Sequence, residues 1–430
     1  MRRHVLCLAL AIGLLVPSGP EVFGQELRGH GGPVRALAVT PDGAIAISGS
    51  FDTSAILWAI DRGISLAVLR HHDGPVNAVA AFPDGRFATG GADGRVAIWR
   101  PGSREPELVI KAHQDAIAGF ALAPDGRALA TASWDGTARI ITVDGGDTRV
   151  IASHREPLGA VAFMPDGKSV VTGSQDATLL VTSIAGGEGR RIAVGTPVNA
   201  LVIARDGEIT AGGADGQLRL ISADGDTRLR VQASETPIIG LALSPDNATI
   251  AVAGVRGTVT LVDRATGTVK LRLVGPGLPV WSLAFRPDGR ELLTGGGDRL
   301  VRRWDVATGD HLGAVAMARP TDGLAAFGND RGAQVFRACV ACHTLDSDDG
   351  NRAGPTLAGI IGRRIATAPG YEFSPALKTM DIVWTRETIA KLFEIGPNAY
   401  TPGTKMPEQV VTDPDDRQAL VDFIARVTTK

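Results

Sequence analysis

Long apolar runs are missing from this sequence. The one near its start covers twelve residues, 5–16, whereas a helix that crosses a bilayer needs about 20, and no later segment is long enough to span. A field of one sign is missing too. The formal net charge is −2 over 430 residues, which offers neither nucleic acid nor an anionic membrane surface a basic face; no nucleic-acid partner is expected. Cysteine is scarce, with three residues, of which Cys339 and Cys342 alone lie beyond residue 24. A scaffold stapled by several disulfides is therefore excluded, and one small disulfide is the most that this pair could form. Tyrosine is rarer still, at two residues, while Gly reaches 54, so the chain is rich in turns.

A length of 430 residues implies two or three domains. Met1-Arg2-Arg3-His4, the apolar run and a breaker-rich stretch over residues 17–24 have the layout of a secretory signal peptide. Val22 and Gly24 are small enough for the positions that a signal peptidase inspects, which puts the cut after Gly24. An exported, periplasmic protein without an integral membrane segment after cleavage is expected, and Cys7 would leave with the signal.

A repeat dominates the next three hundred residues. Pro-Asp-Gly-like turns recur at Asp42, Asp84, Asp125, Asp166, Asp206, Asp246 and Asp288, at intervals of 40 to 42 residues. Each follows an alternating apolar run such as Val34-Arg35-Ala36-Leu37-Ala38-Val39 and precedes two further runs parted by a Gly- and Asp-rich turn. Period-2 runs between such turns are the strands of an antiparallel meander, and seven units of this length match four-stranded propeller blades. The pattern resembles the WD-repeat family, in which a His, a strand Ser or Thr, a turn Asp and a strand Trp brace each blade through buried hydrogen bonds. His30, Ser48, Asp52 and Trp58 fit the first blade, and His72, Thr89, Asp93 and Trp99 the second. His113, Thr131 and Asp135, then His154, Thr172 and Asp176, lack the Trp. Asp215 has neither a His nor a Trp partner, and Thr294, Asp298 and Trp304 lack the His. A His at one fixed blade position beside an Asp is a structural group, so no metal is expected there. Two segments compete to close the ring beside the seventh blade, Glu26-Leu27-Arg28-Gly29 and His311-Leu312-Gly313-Ala314-Val315; the N-terminal one is favoured, because the resemblance implies a blade shared by first and last strands.

Beyond Pro320 the period stops. Cys339-Val340-Ala341-Cys342-His343 is the C-x-x-C-H attachment signal of c-type haem: two thiols at this spacing can add to the two vinyl groups of one haem, and the adjacent His is placed to coordinate its iron. Pro402-Gly403-Thr404-Lys405-Met406-Pro407 resembles the distal Met loop of class I cytochromes c, and a Met thioether as second axial ligand raises the reduction potential. Met380 lies outside that motif. The resemblance runs over residues 328–430 and takes in Gly354-Pro355-Thr356-Leu357, Gly362-Arg363, Pro369-Gly370-Tyr371 and Trp384. It implies that the Pro355 carbonyl accepts the His343 N–H, raising imidazole basicity, and that Arg363, Tyr371, Trp384 and Thr404 bind the haem propionates, although Tyr371 and Trp384 would also serve as core aromatics. It further implies that Lys405 replaces Met406 at high pH. Helices are expected over 332–336 and 415–427, where Leu420, Phe423, Ile424 and Val427 recur at helical spacing. Phe373 stands where the family has a second Tyr near the propionates, and Leu392 where it often has a Tyr near the Met sulfur. Residues 328–430 carry twelve Lys plus Arg against thirteen Asp plus Glu, so the lysine-rich docking face of mitochondrial relatives is absent.

The expected architecture is multidomain: a signal peptide over 1–24, an all-β seven-bladed WD-repeat propeller over 25–318, a linker over 319–327 and a small all-α class I cytochrome c domain over 328–430. One covalent haem c, its iron between His343 and Met406, leaves no open position for substrate, which points to an electron carrier rather than an enzyme. Redox donor and acceptor proteins are the expected partners, with the propeller as docking surface. Two rivals are an oxidoreductase holding a second cofactor in the propeller and a haem-based redox sensor. Quinoprotein dehydrogenases and cytochrome cd-type nitrite reductases pair such domains, but their propellers have eight blades, and the vicinal disulfide of many quinoproteins is impossible in a propeller without cysteine.

Overall fold

The computed structural model describes residues 26–430 except 146–147, 276, 313–323, 325–326, 341, 347–350, 372, 405, 407–408 and 429–430. The expected signal peptide with its cut after Gly24, most of the expected linker, and Lys405 lie outside the described residues.

Twenty-eight strands among the described residues form seven four-stranded antiparallel sheets. The first complete blade runs through Val34–Val39, Ile45–Ser50, Ser54–Ala59 and Ile64–Arg70 in that spatial order. Each hairpin between first and second strands is set by its recurrent Asp, whose Oδ1 accepts the backbone N–H two residues on at 2.9–3.1 Å in all seven blades. That bond is an Asx turn, which offers the backbone a fixed reversal. The innermost strands neighbour one another around a closed ring, from Val34–Val39 through to Val280–Phe285 and back. Successive apolar clusters fill the gaps between blades. Leu27–Arg28 closes the seventh blade by pairing with Leu300 and Val301, as the sequence favoured; His311 makes an isolated bridge to Trp304 instead.

The bracing networks fall where the spacing put them. His30 Nε2 lies 2.7 Å from Ser48 Oγ and its Nδ1 3.0 Å from Asp52, while the Trp58 indole N–H donates to the same Oγ at 2.7 Å. His72, His113 and His154 repeat the arrangement with Thr89, Thr131 and Thr172 at 2.7–2.8 Å. In two of the three blades without this His, arginine takes over: Arg219 pairs with Asp215 and Arg302 with Asp298, both at 2.6 Å.

The C-terminal domain is helical. Its described helices are α1 (Arg331–Phe336), α2 (Pro375–Lys378), α3 (Arg386–Ile395), α4 (Pro397–Tyr400) and α5 (Pro414–Thr428). α1 and α5 cross at Gly332, where an added Cβ would collide with the Ala419 backbone. Phe336 and Phe423 pack there with ring centroids 5.6 Å apart, in one core with Ile389, Leu392 and Ile424. No described helix is long and apolar enough to cross a membrane.

This domain sits against the first blade. The Ala353 N–H donates to the Gly29 carbonyl at 2.7 Å, the Ser65 hydroxyl to the Asn351 carbonyl at 2.9 Å, and Cys342 Sγ packs directly on Gly31.

Candidate functional site

α1 starts at Asp330, whose carboxylate accepts the Ala333 N–H at 2.9 Å, a favourable N-cap. Helical winding continues past its end. Cys339 N–H donates to Phe336 O at 2.8 Å, and Cys342 and His343 N–H both donate to Cys339 O, at 3.0 and 2.9 Å. Two residues three apart on such a turn lie on one face, which brings both thiols to the same cavity wall. Both are free. Burial pushes the Cys339 thiol up to about 12 and the Cys342 thiol up to about 11, the Asp52 carboxylate adding to the latter, so each is a neutral S–H at pH 7.

His343 is oriented from behind. Its Nδ1–H donates to the Pro355 carbonyl at 2.8 Å, and since a carbonyl can only accept, the proton is fixed on Nδ1 and the lone pair on Nε2. Burial lowers the imidazole's pKa, which keeps the ring neutral and able to coordinate. Gly354 lies flat on this ring: a Cβ there would come within 2.7 Å of Nδ1 and closer to Cε1.

The remaining expected residues surround the same space. Arg363 donates to the carbonyls of Ala358 and Thr356 at 2.9 and 2.8 Å, and burial lowers its pKa. Trp384 is fixed by reciprocal backbone bonds, donating to Arg363 O at 2.9 Å and accepting from Gly362 at 2.8 Å. The Tyr371 hydroxyl donates to the Ala353 carbonyl at 2.6 Å. Thr404 Oγ1 accepts the Met406 N–H at 3.1 Å, steadying the loop that carries the thioether. Cys339, Cys342, His343, Pro355, Arg363, Tyr371, Trp384, Thr404 and Met406 all line one cavity of about 1250 Å³, its open mouth included. Phe373 and Leu392, the two departures from the family's Tyr residues, line it as well. Its walls are otherwise largely apolar, with Phe336, Leu357, Ile360, Ile365, Phe393 and Ile424. Thiols, a neutral imidazole, a thioether and an apolar slot fit a covalently held, planar, iron-bearing macrocycle.

Two residues on that lining come from the propeller, Asp52 and Arg70. Sequence reasoning gave Asp52 a bracing role alone and did not single out Arg70. No local spacing could have flagged them, because only the docking of the two domains brings them there.

A family model described as "Cytochrome c" matches residues 329–428, and one described as "WD domain, G-beta repeat" matches 22–59, 63–100, 104–142, 145–183 and 267–305. Among curated proteins, the C-terminal part is 41% identical over 96 residues to cytochrome c type-1 of Ascaris suum, which is 22% of this chain and 84% of that protein. It is 37% identical over 99 residues to cytochrome c of Cochliobolus lunatus, 23% of this chain and 91% of that protein, and 37% identical over 99 residues to cytochrome c of Arabidopsis thaliana, 23% and 88%.

Proposed function

Through its C-terminal domain the chain belongs to the cytochrome c family, and from that premise we propose that it is a periplasmic carrier of single electrons with one covalent haem c held by Cys339 and Cys342, ligated by His343 and Met406, while the propeller serves as the platform on which a protein partner docks. The observation that carries this reading is the single cavity on which both thiols, the imidazole and the thioether converge. When bound, haem c supplies a one-electron ferric–ferrous couple. The chain's own residues prepare the rest. The Pro355 carbonyl holds the His343 proton at Nδ1 and raises the basicity of Nε2. Thr404 anchors the backbone of Met406. The apolar walls exclude water, and with His343 and Met406 both holding the iron no place would be left for a substrate, which favours transfer of electrons over catalysis. Arg363, Tyr371, Trp384 and Thr404 would hold the propionate side.

Exposed aromatics support the docking role. Phe51 and Trp134 each precede the turn Asp of their blade, so both stand on the same rim of the ring, 43% and 50% exposed, and Trp281 packs at a tilt against Phe51, ring centroids 5.5 Å apart. Aromatic side chains are enriched in protein interfaces. This rim carries the Asp52 turn that borders the haem cavity, so a partner gripping it would stand beside the redox centre.

The test is to produce the protein in a host that attaches haem, weigh it after acid denaturation and record its spectra. One added haem, low-spin iron and a Met-to-iron charge-transfer band near pH 7 are expected. A bound quinone, a second haem type or a missing band would overturn the reading.

A further inference from the structure

The described cavity lining carries three arginines, Arg70, Arg363 and Arg364, against one carboxylate, Asp52. Two of these cations already have partners. Arg363 donates to two backbone carbonyls, and Arg364 pairs with Asp381 at 3.4 Å. Asp52 is taken as well: its carboxylate accepts from the His30 ring, the Gly31 N–H, and the Ser54 N–H and hydroxyl. Arg70 differs from all of them. It ends the outermost strand of the first blade and reaches across the domain boundary, with its guanidinium carbon 5.5 Å from the centre of the Tyr371 ring. Its Nε and Nη1 are buried without a hydrogen-bond partner. Buried donors of a charged group left without an acceptor are costly, and a guanidinium fork is shaped for two oxygens of one carboxylate. The Tyr371 oxygen, whose proton goes to the Ala353 carbonyl, accepts from this guanidinium, which still leaves Nε and Nη1 without an acceptor.

We propose that Arg70 of the propeller binds a carboxylate of the haem held in the neighbouring domain, so that the haem site is complete only when the two domains are docked. This rests on the reading that haem occupies the cavity. Haem brings two carboxylates, and the lining has a surplus of two cations over Asp52, with Arg70 the cation whose buried Nε and Nη1 have no acceptor. The propeller is then part of the redox centre. A cation on a haem carboxylate offsets its negative charge, which otherwise favours the ferric state, so Arg70 raises the reduction potential.

The experiment uses full-length holoprotein and its R70Q and R70K variants. Midpoint potentials come from spectroelectrochemical titration, and resonance Raman spectra give the propionate-bending band. R70Q should shift the ferric-to-ferrous ratio at a fixed potential about tenfold toward ferric, which is about 59 mV for a one-electron couple, and should move the propionate band. R70K keeps the charge but loses the fork; it should hold most of the potential and still move the band, and it serves if R70Q does not fold. Folded variants with the wild-type band and a ratio within twofold of wild type would overturn the proposal. Protein without covalent haem would instead overturn the haem reading on which it rests, and the absorption spectrum tells the two failures apart.

Discussion

Single side chains decide how tightly the proposed ligands are held. Met406→Ala removes the thioether, and the ferric-to-ferrous ratio at a fixed potential should rise at least tenfold, about 59 mV or more, with carbon monoxide binding gained in the reduced protein. An unchanged potential in folded M406A would exclude Met406 as ligand. Gly354→Ala acts from the other side. Its Cβ would press on the His343 ring, so the imidazole must tilt away from the Pro355 carbonyl; a shifted or partly high-spin spectrum is expected, and a wild-type spectrum would show that the ring has room. At this scale the sequence was eloquent where chemistry is local. Cys339, Cys342 and His343 lie within five residues, and Met406 within a short Pro-Gly loop. It was silent on Arg70, because an arginine at the end of a strand acquires its meaning from what packs opposite.

Strands and helices depend on buried polar bonds and close crossings that can be broken one at a time. Thr131→Val keeps the shape of the side chain but deprives His113 Nε2 of its 2.7 Å partner, at a cost of about 1–3 kcal/mol for an unsatisfied buried group. Chemical denaturation of the full-length protein, followed by the propeller's strand signal, should register that loss. Gly332→Ala places a methyl group against the Ala419 backbone at the crossing of α1 and α5; about 1–3 kcal/mol of overpacking strain is expected, read as earlier loss of the haem-domain signal. The bracing groups also make the propeller sensitive to acid. Burial lowers the pKa of His113 below its ordinary 6.5, so the unfolded chain takes up that proton first, and the stability due to the neutral ring is complete above pH 6.5 and declines as the pH falls below it. Against a burial that would raise it, hydrogen bonds from Thr137, Gln114 and His113 hold Asp135 down to about 2 from 3.8. Its contribution is therefore present above pH 3.8 and is lost between there and about 2. The propeller's melting temperature should fall in two stages on acidification, and a flat profile from pH 7 to 5 would contradict the first. The blades were legible because their Asp turns and alternating strands recur. α2 and α4, of four residues each, were not, since single turns carry no periodicity, and the arginines that replace His in two blades break the pattern that identified the others.

At the scale of the whole molecule, charge and topology govern encounters. With acids and bases nearly balanced in the haem domain, long-range steering is weak, and the rate of electron transfer to a partner should change little as salt rises from low to physiological concentration. A steep dependence in stopped-flow oxidation would reveal a concentrated charge cluster instead. The order of the domains was legible in the chain, and their docking was not. The contact that joins them includes a bond between two backbone groups, Ala353 N–H and Gly29 C=O, and a backbone bond leaves no trace in residue identity. The strand that shuts the ring was foreseeable only through the family's habit of sharing its last blade; the pairing of Leu27 with Val301 spans almost the entire propeller.

That same seam imposes a timetable on maturation. Cys342 lies on Gly31, and both thiols are neutral and largely enclosed once the chain has folded, whereas the thiolate is the reactive form of cysteine. The propeller is made first, since synthesis proceeds from the N-terminus and domains tend to fold as they emerge. It stands ready to cover Cys342 as soon as that residue is released. Haem must therefore be joined to the thiols in the interval between their appearance and the meeting of the two domains. Haem-free protein that has already folded should be a poor substrate for attachment and should label slowly with a thiol reagent, and mild denaturant should restore both. Equal labelling rates with and without denaturant would mean that the interval never closes.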